Sequence, residues 1–220
     1  MLTLPNFRNW IDSLLDFLLP ESKEEKILRS ITPEQFMSEA QKALPISIND
    51  AQALFSYQAP LVKSAIWLLK YRNSRKAAEL LGEVMANFLE EWLCDLKTFE
   101  NFSSPQIVPV PMSATRQMER GQNHTEVLCD QIMLHLPIGI ANLDKSALRK
   151  IRDTESQAKT KNKTARLKNL SRCFEASAMV RGQNIILIDD VLTTGATATE
   201  CRKTLLKAGA KKVMVLTAAH

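Results

Sequence analysis

The chain has 220 residues, 45% of them hydrophobic and 24% charged, which suffices for one sizeable core and is ordinary for a globular protein. No apolar run reaches the roughly 18 residues a membrane span needs, and no basic stretch, apolar run and cleavage site open the chain, so neither a membrane protein nor a secretory signal is expected. The net charge of +5 is concentrated: ten basic residues between Lys145 and Arg172 face only Asp153 and Glu155, a local surplus of +8. Such a surplus implies an anionic partner, a polyphosphate or a nucleic acid, unless the segment is simply a solvated basic loop. Cys94, Cys129, Cys173 and Cys201 form no Cys-x-x-Cys pair. They read as small buried residues of a reducing, cytoplasmic compartment rather than as disulfides or zinc ligands.

In chain order, residues 7–19 carry Phe7, Trp10, Ile11, Leu14, Leu15 and Leu18 at helical spacing before Pro20, an amphipathic helix docking on the body. A short helix is expected from Pro33 to Ala43 with Thr32 as N-cap. Residues 1–50 thus read as a helical appendage and residues 51–220 as the main domain. Leu54 to Tyr57 suggests a short strand and Pro60 to Tyr71 a helix. A longer helix from Arg75 to about Leu96 bears two core-facing stripes, Leu80-Val84-Phe88-Trp92-Leu96 and Leu81-Met85-Leu89-Leu93.

Residues 106–111 predict a buried strand running into a rigid loop. Pro111, Met112, Arg116 and Arg120 follow it, and arginine forks suit phosphate oxygens, although surface arginines on an ordinary loop satisfy the same spacing. His124 reads as a structural polar residue heading a helix to Leu136. Ile138 to Leu143 suggests a strand, and the long polar segment after it suggests a functional lid or a loop without order.

The richest stretch is Asn184 to Thr197. Ile185 to Ile188 predict a strand buried on both faces, Asp189 and Asp190 stand where it should end, and Thr193-Thr194-Gly195-Ala196-Thr197 turns into a helix over Ala198 to Ala208 with Gly209 as C-cap. Val213 to Thr217 supplies a further strand, completing a right-handed βαβ unit. Acids beside a free helix N-terminus suit a ligand with both a sugar diol and a phosphate. The plainer alternative is a strand end and a capped turn that bind nothing.

This stretch resembles the 5-phosphoribosyl-1-pyrophosphate (PRPP) signature of type I phosphoribosyltransferases. Lys70-Tyr71, Pro109-Val110-Pro111, Arg120-Gly121-Gln122-Asn123, Arg149 to Gln157 and Arg166 to Phe174 occur in the order found in ComF-like (competence protein F) members of that superfamily. The resemblance covers residues 51–220. It implies an α/β fold, a type I phosphoribosyltransferase-like parallel sheet flanked by helices, with a small mainly helical N-terminal appendage. It further implies that Asp189 and Asp190 take the ribose hydroxyls and that Thr193, Thr194, Gly195, Ala196 and Thr197 take the 5′-phosphate. Pro111, Met112, Arg116, Arg120, Arg149 and Arg152 would serve the pyrophosphate and lid, with Asp189, Asp190, Arg116 and Arg120 as the catalytic set. Mg²⁺ would arrive with PRPP. Many members carry a four-cysteine zinc ribbon after a helix ending like Phe17-Leu18-Leu19-Pro20; here residues 21–50 contain no cysteine, so no zinc is expected.

The acceptor is not legible. By elimination, the base-selecting hood falls to residues 51–75, including Tyr57, Lys70 and Tyr71, because the chain ends on its last strand. Phosphoribosyl transfer to an unidentified acceptor therefore stands beside a non-catalytic alternative, a competence or DNA-uptake protein binding single-stranded DNA or protein partners, with a homodimer left open and no membrane partner. Asp190→Asn is expected to leave the fold intact and to weaken PRPP binding at least about tenfold, the loss of one charge-assisted contact.

Overall fold

Four large apolar residues in succession, Ile185 to Ile188, can be buried only where a sheet is covered on both faces, and all four are at 0% exposure. The computed structural model describes residues 22–46, 48, 50–152 and 173–220. The amphipathic helix expected at 7–19, and the part of the basic segment from Asp153 to Arg172, lie outside the described residues.

The described elements run α1 (Lys23–Ser30), α2 (Pro33–Glu39), β1 (Ala51–Phe55), α3 (Pro60–Tyr71), α4 (Arg75–Glu100), β2 (Gln106–Pro109), α5 (Ala114–Arg120), α6 (His124–His135) and β3 (Asn142–Leu143). They continue with β4 (Leu148–Lys150), β5 (Phe174–Ala176), a 3₁₀ turn at Ala178–Val180, β6 (Asn184–Val191), α7 (Ala196–Lys207) and β7 (Lys212–Ala219). A five-stranded sheet has the order β1-β7-β6-β2-β3, and every pair in it is parallel. β4 and β5 form a separate antiparallel pair. This is an α/β fold with a parallel sheet flanked by helices, the architecture the sequence reading expects.

Side-chain alternation sorts the sheet into two cores. Ile107, Ile186, Ile188, Met214 and Leu216 pack with α1 to α4 and α6. Val108, Ile185, Leu187, Val213 and Val215 pack with α7 and the β4–β5 pair. Leu28 and Phe36 of α1 and α2 belong to the first core, and Phe36 meets Phe55 edge-on with ring centroids 5.3 Å apart.

Several elements end where hydrogen bonding, rather than periodicity, decides. β6 continues through the acids to Val191 because Asp189 and Val191 still pair with Thr217 and Ala219 of β7. α7 begins at Ala196 because Gly195, at φ +71°, reverses the chain one residue earlier; Ala208 is the C-cap and Gly209 follows at φ +99°. α2 keeps its Thr32 capping box but stops at Glu39, and Lys42 then bridges to Phe55. β1 covers Ala51–Phe55 rather than Leu54 to Tyr57, and β3 shrinks to Asn142–Leu143 after a turn in which Ile140 donates to Pro137. Cys129, Cys173 and Cys201 are buried as expected, but Cys94 is exposed on α4. Among the described residues no helix is long and apolar enough to cross a membrane.

α4 and α6 touch closely at Gly82, where an added Cβ would stand 2.3 Å from Gln131 Cβ and 3.2 Å from its Cα. Helix propensity favours alanine by about 1 kcal/mol, yet the clash involves backbone and cannot relax cheaply. Gly82→Ala is expected to cost about 1–3 kcal/mol, read as a lowered urea midpoint at unchanged slope.

Candidate functional site

Parallel strands deliver their carboxyl ends to one edge, and ligands of such sheets bind outside that edge. Here a cleft of about 250 Å³ opens at the ends of β2 and β6, between α3, α5 and the start of α7. Asp189, Asp190, Pro111, Met112, Arg116, Arg120, Thr193 and Thr197 all line it. Thr194, Gly195 and Ala196 complete a small adjoining recess that also touches Asp189. Arg149 lines a neighbouring cleft instead and is bound to Glu175, Nε at 3.0 Å and Nη2 at 2.7 Å. Arg152 is exposed, beside the residues not described.

Alternation along β6 sends the adjacent acids to opposite sides. Asp190 follows Ile186 and Ile188 towards α3 and α6, where it is 3% exposed. Its Oδ1 lies 2.9 Å from Lys70 Nζ and its Oδ2 lies 2.6 Å from His124 Nε2. Burial alone would raise this carboxyl, but the Lys70 ammonium and the His124 ring together hold it well below the usual carboxylate range. Two bare acceptors at 2.6 Å would repel, so a proton lies between the atoms; an ionised Asp190 places it on Nε2.

Asp189 sits half-buried on the α7 side and accepts the Asp190 backbone N–H at 2.9 Å. Desolvation and the neighbouring Asp190 charge push its carboxyl up, against the opposing pull of Lys70. The pair is thus electrostatically divided: one acid is clamped by protein cations and the other faces the cleft. The contact changes the expectation for Asp190→Asn, which should cost stability as well as binding because it leaves the Lys70 ammonium, 20% exposed, without its carboxylate. Asp189 is the cleaner probe.

The start of α7 is open to an anion. Gly195 is its N-cap and has no side chain with which to cap the first turn. A Cβ on Gly195 would meet Ile48 Cδ1 at 2.0 Å, and its left-handed φ is strained for any other residue.

Across the cleft, Arg120-Gly121-Gln122-Asn123 has a local logic of its own. Gly121 at φ +81° ends α5, and Asn123 caps α6, accepting from the Thr125 N–H at 3.2 Å and donating to Glu126 at 2.9 Å. Gln122 donates to Asn73 Oδ1 at 3.1 Å, and Asn73 donates to the Arg120 carbonyl at 3.3 Å. Thr125 Oγ1 donates to the Val110 carbonyl at 3.2 Å, tying α6 to the end of β2. Arg120 is held between the Tyr71 ring, 5.1 Å from its Cζ, and His124 Nδ1, 3.4 Å from Nη1. Arg116 lines the cleft without an ion pair among the described residues.

Lys70 and Tyr57, expected beside an acceptor, line this same cleft, whereas Tyr71 packs against Arg120 on its rim. The Lys70–Asp190–His124 cluster, and the presence of Lys150 and Phe174 in the cleft wall, are not legible from spacing because the partners come from distant elements. Four hydrophobics followed by two acids would have signalled only that one acid must turn inward and find a cation.

No protein-family model matches the chain. It is 30% identical over 157 residues to the DNA utilization protein YhgH of Escherichia coli K12, a match covering 71% of this chain and 66% of that protein. It is 36% identical over 134 residues to the competence protein ComFC of Streptococcus pneumoniae, covering 61% of this chain and 54% of that one. The chain thus spans just under two thirds, or less, of the length of these relatives. Among solved structures, a hypoxanthine phosphoribosyltransferase of Trypanosoma cruzi aligns with 63% of this chain and 64% of its own at 7% identity and a TM-score of 0.39.

Proposed function

Because the chain belongs to the ComF-like family of the type I phosphoribosyltransferase superfamily, we propose that its cleft binds Mg²⁺-PRPP and transfers phosphoribose to an acceptor with release of pyrophosphate. One observation carries this reading: a half-buried acid, a helix N-terminus headed by glycine and two arginines converge on one cleft at the carboxyl edge of the sheet.

In this reading the α7 N–H groups and the Thr193 to Thr197 loop hold the 5′-phosphate, and Asp189 accepts from the ribose hydroxyls with Asp190 behind it. Arg116 and Arg120 receive the pyrophosphate. The C1–O bond breaks with oxocarbenium character, the electron pair leaves with pyrophosphate, and a nitrogen nucleophile forms the new bond to C1. The arginines stabilise charge as it develops on the leaving group, and no side chain needs to attack. In this reading the metal ion arrives with PRPP, carried by the ligand's own oxygens. When bound, Mg²⁺ would neutralise the leaving pyrophosphate. Isothermal titration of Mg²⁺-PRPP is expected to give saturable binding, weakened at least about tenfold by Asp189→Asn, as for a lost charge-assisted pair. Equal binding by both proteins would refute the assignment of Asp189.

A second reading, binding of single-stranded DNA in a cytoplasmic competence role, is favoured by a strip on the cleft rim. Trp67 and Tyr71 lie one turn apart on α3 with ring centroids at 5.9 Å, and Arg72 and Arg120 stand over them at 5.6 and 5.1 Å. Alternating rings and guanidinium planes suit sequence-tolerant base stacking. Fluorescence anisotropy with labelled oligothymidine should then weaken steeply with salt, and about tenfold more with Trp67→Ala/Tyr71→Ala. Absent or salt-insensitive binding would exclude this reading.

A further inference from the structure

We infer that His124 is a positioning residue that couples the two halves of the cleft, joining the arginine of the pyrophosphate side to the acid of the ribose side. The inference rests on the assignment of those two sides proposed above. His124 is 8% exposed at the first position of α6, and each ring nitrogen has one polar neighbour from a different element. Nε2 lies 2.6 Å from Asp190 Oδ2 at the end of β6, and Nδ1 lies 3.4 Å from Arg120 Nη1 at the end of α5. Lys70 of α3 closes the row at 2.9 Å from the other Asp190 oxygen.

The ring must donate to one neighbour and accept from the other. A guanidinium has no acceptor, so Nδ1 accepts from Arg120 and Nε2–H donates to Asp190. That tautomer aligns a row of donors from Arg120 through His124 to Asp190, and such rows polarise one another in a partly buried setting. Its ends are the two charges on which the ligand's leaving group and sugar are expected to act. A ligand anion that draws Arg120 forward lengthens the Nδ1 contact and alters how firmly Nε2–H holds Asp190; sugar binding beside Asp190 acts back on Arg120 by the same path, as linkage requires.

The row also explains why Arg120 sits between a ring face and an imidazole instead of an acid. A carboxylate would neutralise it and compete with an incoming phosphate. Neutral Nδ1 orients the guanidinium while leaving its charge available. Glutamine can reproduce both contacts, one donor and one acceptor on a planar group, whereas phenylalanine keeps the volume and loses both.

The test compares the parent with His124→Phe and His124→Gln. Inorganic pyrophosphate is titrated with and without saturating ribose 5-phosphate, and the ratio of the two dissociation constants is read, so that changes in either affinity alone cancel. The parent is expected to show a ratio on the order of 5 or more, His124→Phe a ratio near unity, and His124→Gln most of the parental ratio. A ligand-free arm records the ¹⁵N signals of labelled histidine: the Nε2–H tautomer is expected, with an Nδ1 signal that shifts on Arg120→Ala. A parental ratio near unity, a ratio preserved in His124→Phe, or an Nδ1 signal indifferent to Arg120→Ala would each overturn the coupling role. Failure of both ligands to bind the parent while the ¹⁵N arm behaves as expected would instead overturn the phosphoribosyl reading, and the coupling role with it.

Discussion

Lys70→Ala is expected to destabilise the fold by about 3–5 kcal/mol near neutral pH, because removing one partner of a buried pair leaves the other charge uncompensated. Asp190 is 3% exposed and held on β6, so it cannot swing into water when Lys70 Nζ, at 2.9 Å, is lost. His124 at 2.6 Å remains, which places the expected cost at the lower end of that range. The pH dependence follows from the depressed folded-state pKa of Asp190. Its contribution is present above the unfolded carboxyl value of about 3.9 and is lost as pH falls from there towards the folded value. The gap between parent and Lys70→Ala should therefore narrow as pH drops below about 4. Asp189 runs the other way: its raised carboxyl favours the folded state while protonated, and that contribution is lost as pH rises. Denaturant midpoints across pH read both trends, and a constant gap down to strong acid would contradict the pairing.

Gly195→Val is expected to cost about 1–3 kcal/mol in stability and to reduce Mg²⁺-PRPP affinity at least a hundredfold, since it distorts the turn that aims the α7 N–H groups. Gly195 occupies φ +71°, which a β-branched residue strongly resists, and its missing Cβ leaves the space filled by Ile48. Pairing the substitution with Ile48→Ala would relieve the contact but not the backbone. Stability should then recover in part while binding does not. Recovery of binding in the double variant would mean that the glycine serves packing rather than the anion.

How much of this was legible in the sequence varies with the range of the forces involved. The central strand, α3, α4 and the Thr32 cap are set by local period and local hydrogen bonds, and the sequence reading matches them closely. Strand ends depend on the neighbour's register, which is why the acids proved to lie inside β6 rather than beyond it. The acids and the turn into α7 stood out together because they are contiguous, and the structure places both at one cleft. The partnership of Asp190 with Lys70 and His124 was not, because it joins β6 to α3 and α6 through a fold that no local pattern encodes. Arg149 was grouped with Arg116 and Arg120 on the family resemblance, and the antiparallel pairing of β4 with β5 gives it Glu175 as its partner. The inward turn of one acid also explains why a single Asp-Asp pair can combine two electrostatic roles.

We propose that Asp189, the α7 N-terminus and the cleft arginines act as one ligand site. Backbone amide signals followed during titration with Mg²⁺-PRPP report on every part of that site at once. The largest shifts are expected on Thr193 to Ala198 and Asp189, with a second group at Arg116 and Arg120. Saturable binding whose shifts fall elsewhere, or no shift at any of these amides, would contradict it.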